Sequence, residues 1–272
     1  QIGRSLELWA PQVLQSAGNK KLTGAAVVTV SSGVKALEIP QALTRKHGDI
    51  HPEGNPHVWL SPSAALKIAE NIKASLVTKD PMHKADYEKN FLTFKTKLAD
   101  ALFGAALVKA AGSPDFLFRL QAGKTLKNYV AKRKQTLGGW LKLAEAIDYP
   151  FITYHEVWSY MADEFALKVF ANIEEKSGVA PSLKYQNELI KKAKAQAVTH
   201  IVAASYYVGH RKLIDLIAEK ISGKKLFVDV DCRPGASYFD MMNRILKSLV
   251  EFKMVKAPIK QAIPPVAPKR KG

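Results

Sequence analysis

The chain has 272 residues, 47% of them hydrophobic, enough for two ordinary domains or one large two-lobed unit with a real core. No stretch approaches the roughly 20 apolar residues of a membrane-spanning helix, and a single cysteine, Cys232, excludes an internal disulfide. Lysine and arginine number 41 against 24 acidic residues, a net charge of +17, but the lysines are spread along helical stretches without finger spacing or a ribonucleoprotein strand signature, so nucleic-acid binding is not expected.

The chain opens on Gln1 with no charged-then-apolar leader, which reads as a processed chain or a fragment. Residues 1–22 read as a helix around Leu6, Leu8, Trp9, Val13 and Leu14, ending near Gly18 and Asn19. The β-branched run 25–30 reads as a buried strand. Residues 44–57, with two glycines, two prolines and three histidines, read as a loop. A helix then starts sharply, with Ser61 as its cap, Pro62 at its first position and Ala65, Ile68, Ala69, Ile72 and Leu76 on one stripe. Asp80-Pro81 breaks it, and a second helix runs from about Lys84 through Tyr87, Phe91, Phe94 and Leu98. Residues 103–135 read as small helices or an inserted hairpin, and 136–147 return to helix.

From Phe151 strands and helices alternate. Strands are expected at 151–154, 168–173, 200–203 and 226–230, and helices at 156–165, 181–196, 212–221 and 238–252. That order predicts an α/β fold with a mostly parallel sheet covered on both faces. The expected organisation is an N-terminal lobe over 1–82, a connecting helix with an inserted segment over 83–149, a C-terminal α/β lobe over 150–255, and a basic, Pro-rich, disordered tail over 256–272. Ligands of open parallel sheets bind beyond the carboxyl ends of the strands. That directs attention to Tyr154-His155, Ala203-Ala204-Ser205 and Val230-Asp231.

Two histidines and a carboxylate from the ends of separate elements have the chemistry of a zinc site. His57 precedes the capped helix, His155 follows a strand, and Asp229 and Asp231 close another. A helix-cap or satisfied core role for His155 is the plainer alternative. Enzyme chemistry has less to stand on. Ser205 lacks the glycines of a nucleophile elbow, Cys232 has no histidine beside it, and no Gly-rich phosphate loop follows a strand. Glu174-Glu175 reads as strand-end surface charge. Trp158, Tyr160 and Phe165 read as packing residues of the helix after His155.

Four ordered segments carry a resemblance. Asn55-Pro56-His57-Val58-Trp59-Leu60-Ser61-Pro62 resembles the DPHxWLxP segment of the zinc- and manganese-binding solute receptors of bacterial ABC importers, the ZnuA/TroA-like family. Ile152–Ala162 resembles its second histidine segment, Gly178–Ser182 its turn before a helix, and Tyr238–Met242 the start of its last helix. The resemblance covers about residues 1–252. It implies two α/β lobes joined by a long backbone helix, with the helix from Lys84 as candidate and 103–135 as an insertion. It also implies an N-lobe that this chain enters part-way.

By the same resemblance the protein is a periplasmic or extracytoplasmic receptor, not an enzyme. It captures Zn2+, or Mn2+ or another divalent metal, for an ABC permease, and is expected to be a monomer. His57 would be the N-lobe ligand, His155 the first C-lobe ligand, and Asp231, or alternatively Asp229, the acidic one. An imidazole at 155 favours zinc over harder-ligand metals. His51, or more weakly His47, would replace an early histidine of the family for which this sequence has no counterpart. Neutral imidazole ligands imply affinity that falls below about pH 6.5. The alternative is a metal-free binding or adhesion module of the same fold that meets a partner through its basic surface.

Overall fold

The computed structural model describes residues 1–3, 6–19, 21–22, 27–40, 51–232 and 234–255. The centre of the fold is a four-stranded, all-parallel sheet. Its strands are β1 (Phe151–Thr153), β2 (Val169–Asn172), β3 (His200–Ala204) and β4 (Lys224–Val228), in the order β2-β1-β3-β4. Helices α8 (Ser159–Phe165), α9 (Leu183–Ala195), α10 (Arg211–Lys220) and α11 (Tyr238–Met254) alternate with the strands.

Because side chains alternate along a strand, each strand feeds two cores. Phe151, Val202, Ala204 and Val228 pack with Trp158, Met161 and the α11 residues Met242, Ile245 and Leu249. Ile152, Ile201 and Ala203 pack on the other face with Leu189 and Ala193 of α9 and Ile214 and Ile217 of α10. The sheet is therefore covered on both sides, as parallel sheets require. The expected α/β class with a parallel sheet is the observed one. The start of β4 differs by two residues. Its five residues pair in unbroken register with β3, from His200↔Lys224 to Ala204↔Val228. The charged Lys224 is accommodated because its ammonium donates to the carbonyls of Lys253 (2.8 Å) and Val255.

Upstream lie α2 (Pro62–Lys79) and α3 (Lys84–Phe103). Ser61 Oγ caps α2 by accepting from Ala64 N at 3.1 Å, and Pro62 opens its first turn. The predicted stripe is only half-used: Ala65 is buried, but Ile72 and Leu76 are exposed. At 20 residues, α3 spans about 30 Å. It packs on α2 and on the short helices α4 (Ala105–Ala111), α5 (Pro114–Ala122) and α7 (Gly139–Ala144); α6 (Leu126–Lys132) lies between α5 and α7. Small helices, not a hairpin, therefore make up the expected insertion. The predicted helix 136–147 shrinks to α7 because the chain before it lies against the end of α3. Gly138 N donates to Phe103 O at 2.9 Å, and at Gly139, with φ +53°, a Cβ would meet Ala101 O at 2.1 Å.

Two expectations in the first 40 residues are corrected. Among the described residues of the helix expected over 1–22, the helical ones are α1 (Ala10–Ser16), where Pro11 sets the first turn. It buries no residue, and Leu8, Trp9 and Val13 stay exposed. Within the expected strand 25–30, residues 27–30 form no strand. They make a short ladder instead: the Gln1 ammonium donates to Val28 O (3.0 Å) and Val30 N donates to Gln1 O (2.9 Å). Residues 23–26, His47 and the tail beyond Val255 lie outside the described residues.

Candidate metal centre

His57 and His155 meet with ring centres 5.5 Å apart and planes at 75°. Each arrives by a different route. The chain at 55–57 turns tightly before the short 3-10 turn 58–60 that leads into α2. Asn55 Oδ1 shapes that turn by accepting from His57 N at 2.8 Å. His155 lies two residues beyond β1. The pairing Thr153↔Asn172 continues through Glu174 N donating to Tyr154 O at 2.9 Å. Two residues past that pairing, His155 stands beside Glu174.

Both rings are buried, and both use Nδ1 on an oxygen. His57 Nδ1 lies 2.8 Å from Asn55 Oδ1, and His155 Nδ1 lies 2.5 Å from Glu174 Oε2. An ionised carboxylate only accepts, so His155 donates from Nδ1. Neither Nε2 has a hydrogen-bond partner among the described residues. Two imidazoles bound through Nε2 to one tetrahedral zinc at about 2.1 Å place their ring centres about 5.3 Å apart. The observed separation fits that arrangement.

Burial, then the neighbouring His155 and His51, pulls the His57 pKa down to about 3. Its surroundings therefore hold His57 neutral well below its ordinary value of 6.5. Burial, and next the nearby Glu38, raises the Glu156 carboxyl above its ordinary range. Tyr207 stands against His155 at 5.7 Å, and Trp59 against His57 at 5.4 Å.

His51 belongs to the same electrostatic neighbourhood as His57, and its Nδ1 is buried with no partner among the described residues. Neither aspartate is brought into one cluster with the two histidines. Asp229 directly follows β4 and accepts from Ser205 Oγ. Asp231 is exposed, and its backbone oxygen accepts from Arg244 at 2.9 Å. Between them, Val230 O accepts from Trp59 Nε1 at 3.1 Å, which ties this loop to the His57 segment. Among the described residues no group of three or more histidine, cysteine, aspartate or glutamate side chains stands close enough to hold one ion.

Further contacts hold the two sides together. Tyr238 OH donates to Trp59 O at 3.0 Å. Tyr160 OH accepts from Leu37 N and donates to Lys35 O, both at 3.2 Å. The buried Glu164 carboxylate of α8 sits at the N-terminus of α2. It accepts from Ser61 Oγ, Ser63 Oγ (2.9 Å), Ser63 N (3.2 Å) and Gln121 Nε2 (3.1 Å).

Sequence reasoning missed Asn55 and Glu174 as partners of the histidines. Glu174, read as surface charge, has a side chain only 9% exposed. The strand lengths on either side of it were a usable signal. Which strands are neighbours was not readable.

The description "zinc-uptake complex component A periplasmic" belongs to the family model that matches residues 1–102 and 122–252. Residues 103–121, which hold α4 and most of α5, fall outside it. The high-affinity zinc uptake system protein ZnuA of Bacillus subtilis is 27% identical over 93% of this chain and 70% of its own length. The zinc-binding lipoprotein AdcA of Streptococcus pneumoniae (strain R6) is 25% identical over 90% of this chain. The chain spans only 43% of that relative. Among solved structures, a zinc-bound ZnuA deletion mutant superposes with a TM-score of 0.62 at 18% identity, covering 93% of this chain and 78% of that one. The Mn2+ complex of the Pseudomonas aeruginosa solute-binding protein FpvC gives 0.58 at 22% identity, with coverages of 92% and 77%. At these identities the superpositions establish the fold, and the family match carries the assignment: the chain belongs to the ZnuA family, whose members are transport components and not enzymes.

Proposed function

We propose that the protein captures a divalent metal, with zinc as its main cargo, through the Nε2 atoms of His57 and His155, and hands it to an ABC permease outside the cytoplasm. The observation that carries this reading is the buried pair at 5.5 Å with both Nδ1 atoms already committed. Two imidazoles favour zinc, while the Mn2+ found in the FpvC complex keeps harder metals in the cargo class. A third donor comes from Asp229, Asp231 or His51. Asp229 directly follows β4 and accepts from Ser205 Oγ, and His51 carries a buried nitrogen with no partner among the described residues. The ion would sit between the N-terminal part, 1–82, and the C-terminal lobe, 150–255, and no bond of the cargo is made or broken. The parallels in ZnuA and AdcA support zinc and an extracytoplasmic address.

Metal analysis and competition against a chromophoric zinc chelator test the reading. The protein is expected to bind one zinc, and His57→Ala and His155→Ala are each expected to lose tight binding. Full zinc content in both variants overturns it, as does a parent protein that never competes for micromolar zinc.

A further inference from the structure

We infer that Asn55 is the positioning residue that holds His57 in its Nδ1–H form and so turns the Nε2 lone pair toward the cargo, with Glu38 and the Glu156 carbonyl holding Asn55 in place. The inference rests on the metal-receptor reading for its consequence, but its geometry stands on the metal-free protein.

Asn55 is 4% exposed and spends all its side-chain hydrogen bonds inside the protein. Its Nδ2 lies 2.6 Å from Glu38 Oε2 and 2.7 Å from the backbone oxygen of Glu156. Both are acceptors, so the amino end of the carboxamide must face them. Its other end lies 2.8 Å from His57 N, a group that only donates. The flip of the amide is thus fixed by three neighbours of known chemistry. The oxygen facing His57 Nδ1 at 2.8 Å can only accept. In the neutral ring the proton must then sit on Nδ1 and the free lone pair on Nε2.

The contacts also join three regions. Glu38 accepts from Ser159 Oγ at 2.7 Å on its other oxygen, and Glu156 follows His155 directly. Asn55 therefore links the segment before the loop, the turn carrying His57 and the turn carrying His155. Where the family motif has aspartate, this chain needs an amide. A carboxylate at 55 would face the Glu38 carboxylate and the Glu156 carbonyl at 2.6–2.7 Å with no proton to share. Outer partners of this kind ordinarily change metal affinity about 10–100-fold.

The first measurement is the two- and three-bond nitrogen–proton correlation spectrum of the histidine rings in the metal-free full chain, labelled with 15N-histidine. His57 is expected in the Nδ1–H form, and an Nε2–H form overturns the inference without any variant being made. Zinc competition then follows on three variants whose folding is checked by circular dichroism. Asn55→Ala is expected to lose the tautomer preference and weaken zinc about 10–100-fold. Asn55→Asp is expected to weaken it too, whereas tighter binding there overturns the inference. Glu38→Ala removes an acceptor of the Asn55 amino group and is expected to weaken zinc in the same direction as Asn55→Ala, whereas tighter binding there overturns the inference. Unchanged tautomer and affinity in Asn55→Ala also overturn the inference. If the parent binds no zinc, the receptor reading fails while the ring spectrum still decides the role of Asn55.

Discussion

The two histidines of the candidate centre are held by different kinds of structure. His155 is carried by the sheet. It stands just past β1, the strand flanked by β2 and β3, over a core that includes Phe151 and Trp158, and its partner Glu174 comes from the neighbouring strand's extension. His57 is carried by a turn that is anchored by the buried Val58 and Leu60 and, in addition, by polar contacts. These are Asn55 to Glu156, Trp59 to Val230, Tyr238 to Trp59, and Ser61 and Ser63 to Glu164. One histidine rests on the apolar packing of the sheet, the other on buried Val58 and Leu60 together with hydrogen bonds that reach across to the first. A receptor built this way can keep half of its site rigid and leave the other half to close or loosen at the cost of a few hydrogen bonds.

The largest effect should come from breaking the packed half. Trp158 is 1% exposed and lies edge-on to Phe151 at 6.3 Å. Trp158→Ala should destabilise the protein by about 3–5 kcal/mol, because a void of that size does not fully collapse. Urea unfolding measures it. A loss within a few tenths of zero would mean that His155 does not depend on this core.

A smaller and more selective effect is expected from the polar half. Removing the Glu164 carboxylate leaves Ser61, Ser63 and Gln121 without their shared acceptor at the start of α2. Glu164→Ala should cost about 1.5–3 kcal/mol, the usual range for hydrogen bonds to a charged group. Amide exchange should quicken in the first turn of α2 and around His57, and stay slow in β1 and β3. Equal acceleration in the sheet would erase the distinction between the two halves.

The same division decides what the sequence could disclose. In the packed half, apolar strands alternate with helices at regular intervals, and periodicity located every strand and α-helix there to within a few residues, though not the 3-10 turn Ser205–His210. His155 was readable because it follows a strand, and His57 because it precedes a capped helix. What stayed hidden was contact between distant residues. Glu174 looks like surface charge until β2 is known to lie beside β1, and Asn55 looks like a loop residue until Glu38 and Glu156 are brought to it. Asp229 and Asp231 were hard to separate because the end of β4 depends on register with β3, not on composition. Residues 6–22 misled for a related reason: Leu8, Trp9 and Val13 have helical spacing, but in this structure they cover nothing.

The smallest prediction uses a third histidine as a control within the packed half. His200 opens β3, at the end of the sheet opposite His155. Its ring stacks on Tyr149 at 4.2 Å and meets Phe252 edge-on, and its Nε2 is buried without a partner among the described residues. Burial, and then the nearby Lys224, lowers its pKa to about 4. The unfolded chain binds a proton at this ring below the ordinary value of 6.5, while the folded chain resists until about 4. In that window the unfolded state holds more protons, so stability falls as the pH falls. The contribution is complete above pH 6.5 and is lost progressively toward pH 4. His200→Phe keeps the stacking and removes the titration. Its Tm should therefore decline less than the parent's between pH 7 and pH 4.5, with zinc competition at pH 7 unchanged. An identical decline in Tm would show that this ring titrates normally. A fall in zinc affinity would show that the far end of the sheet reaches His155, and the packed half would then be less rigid than its core implies.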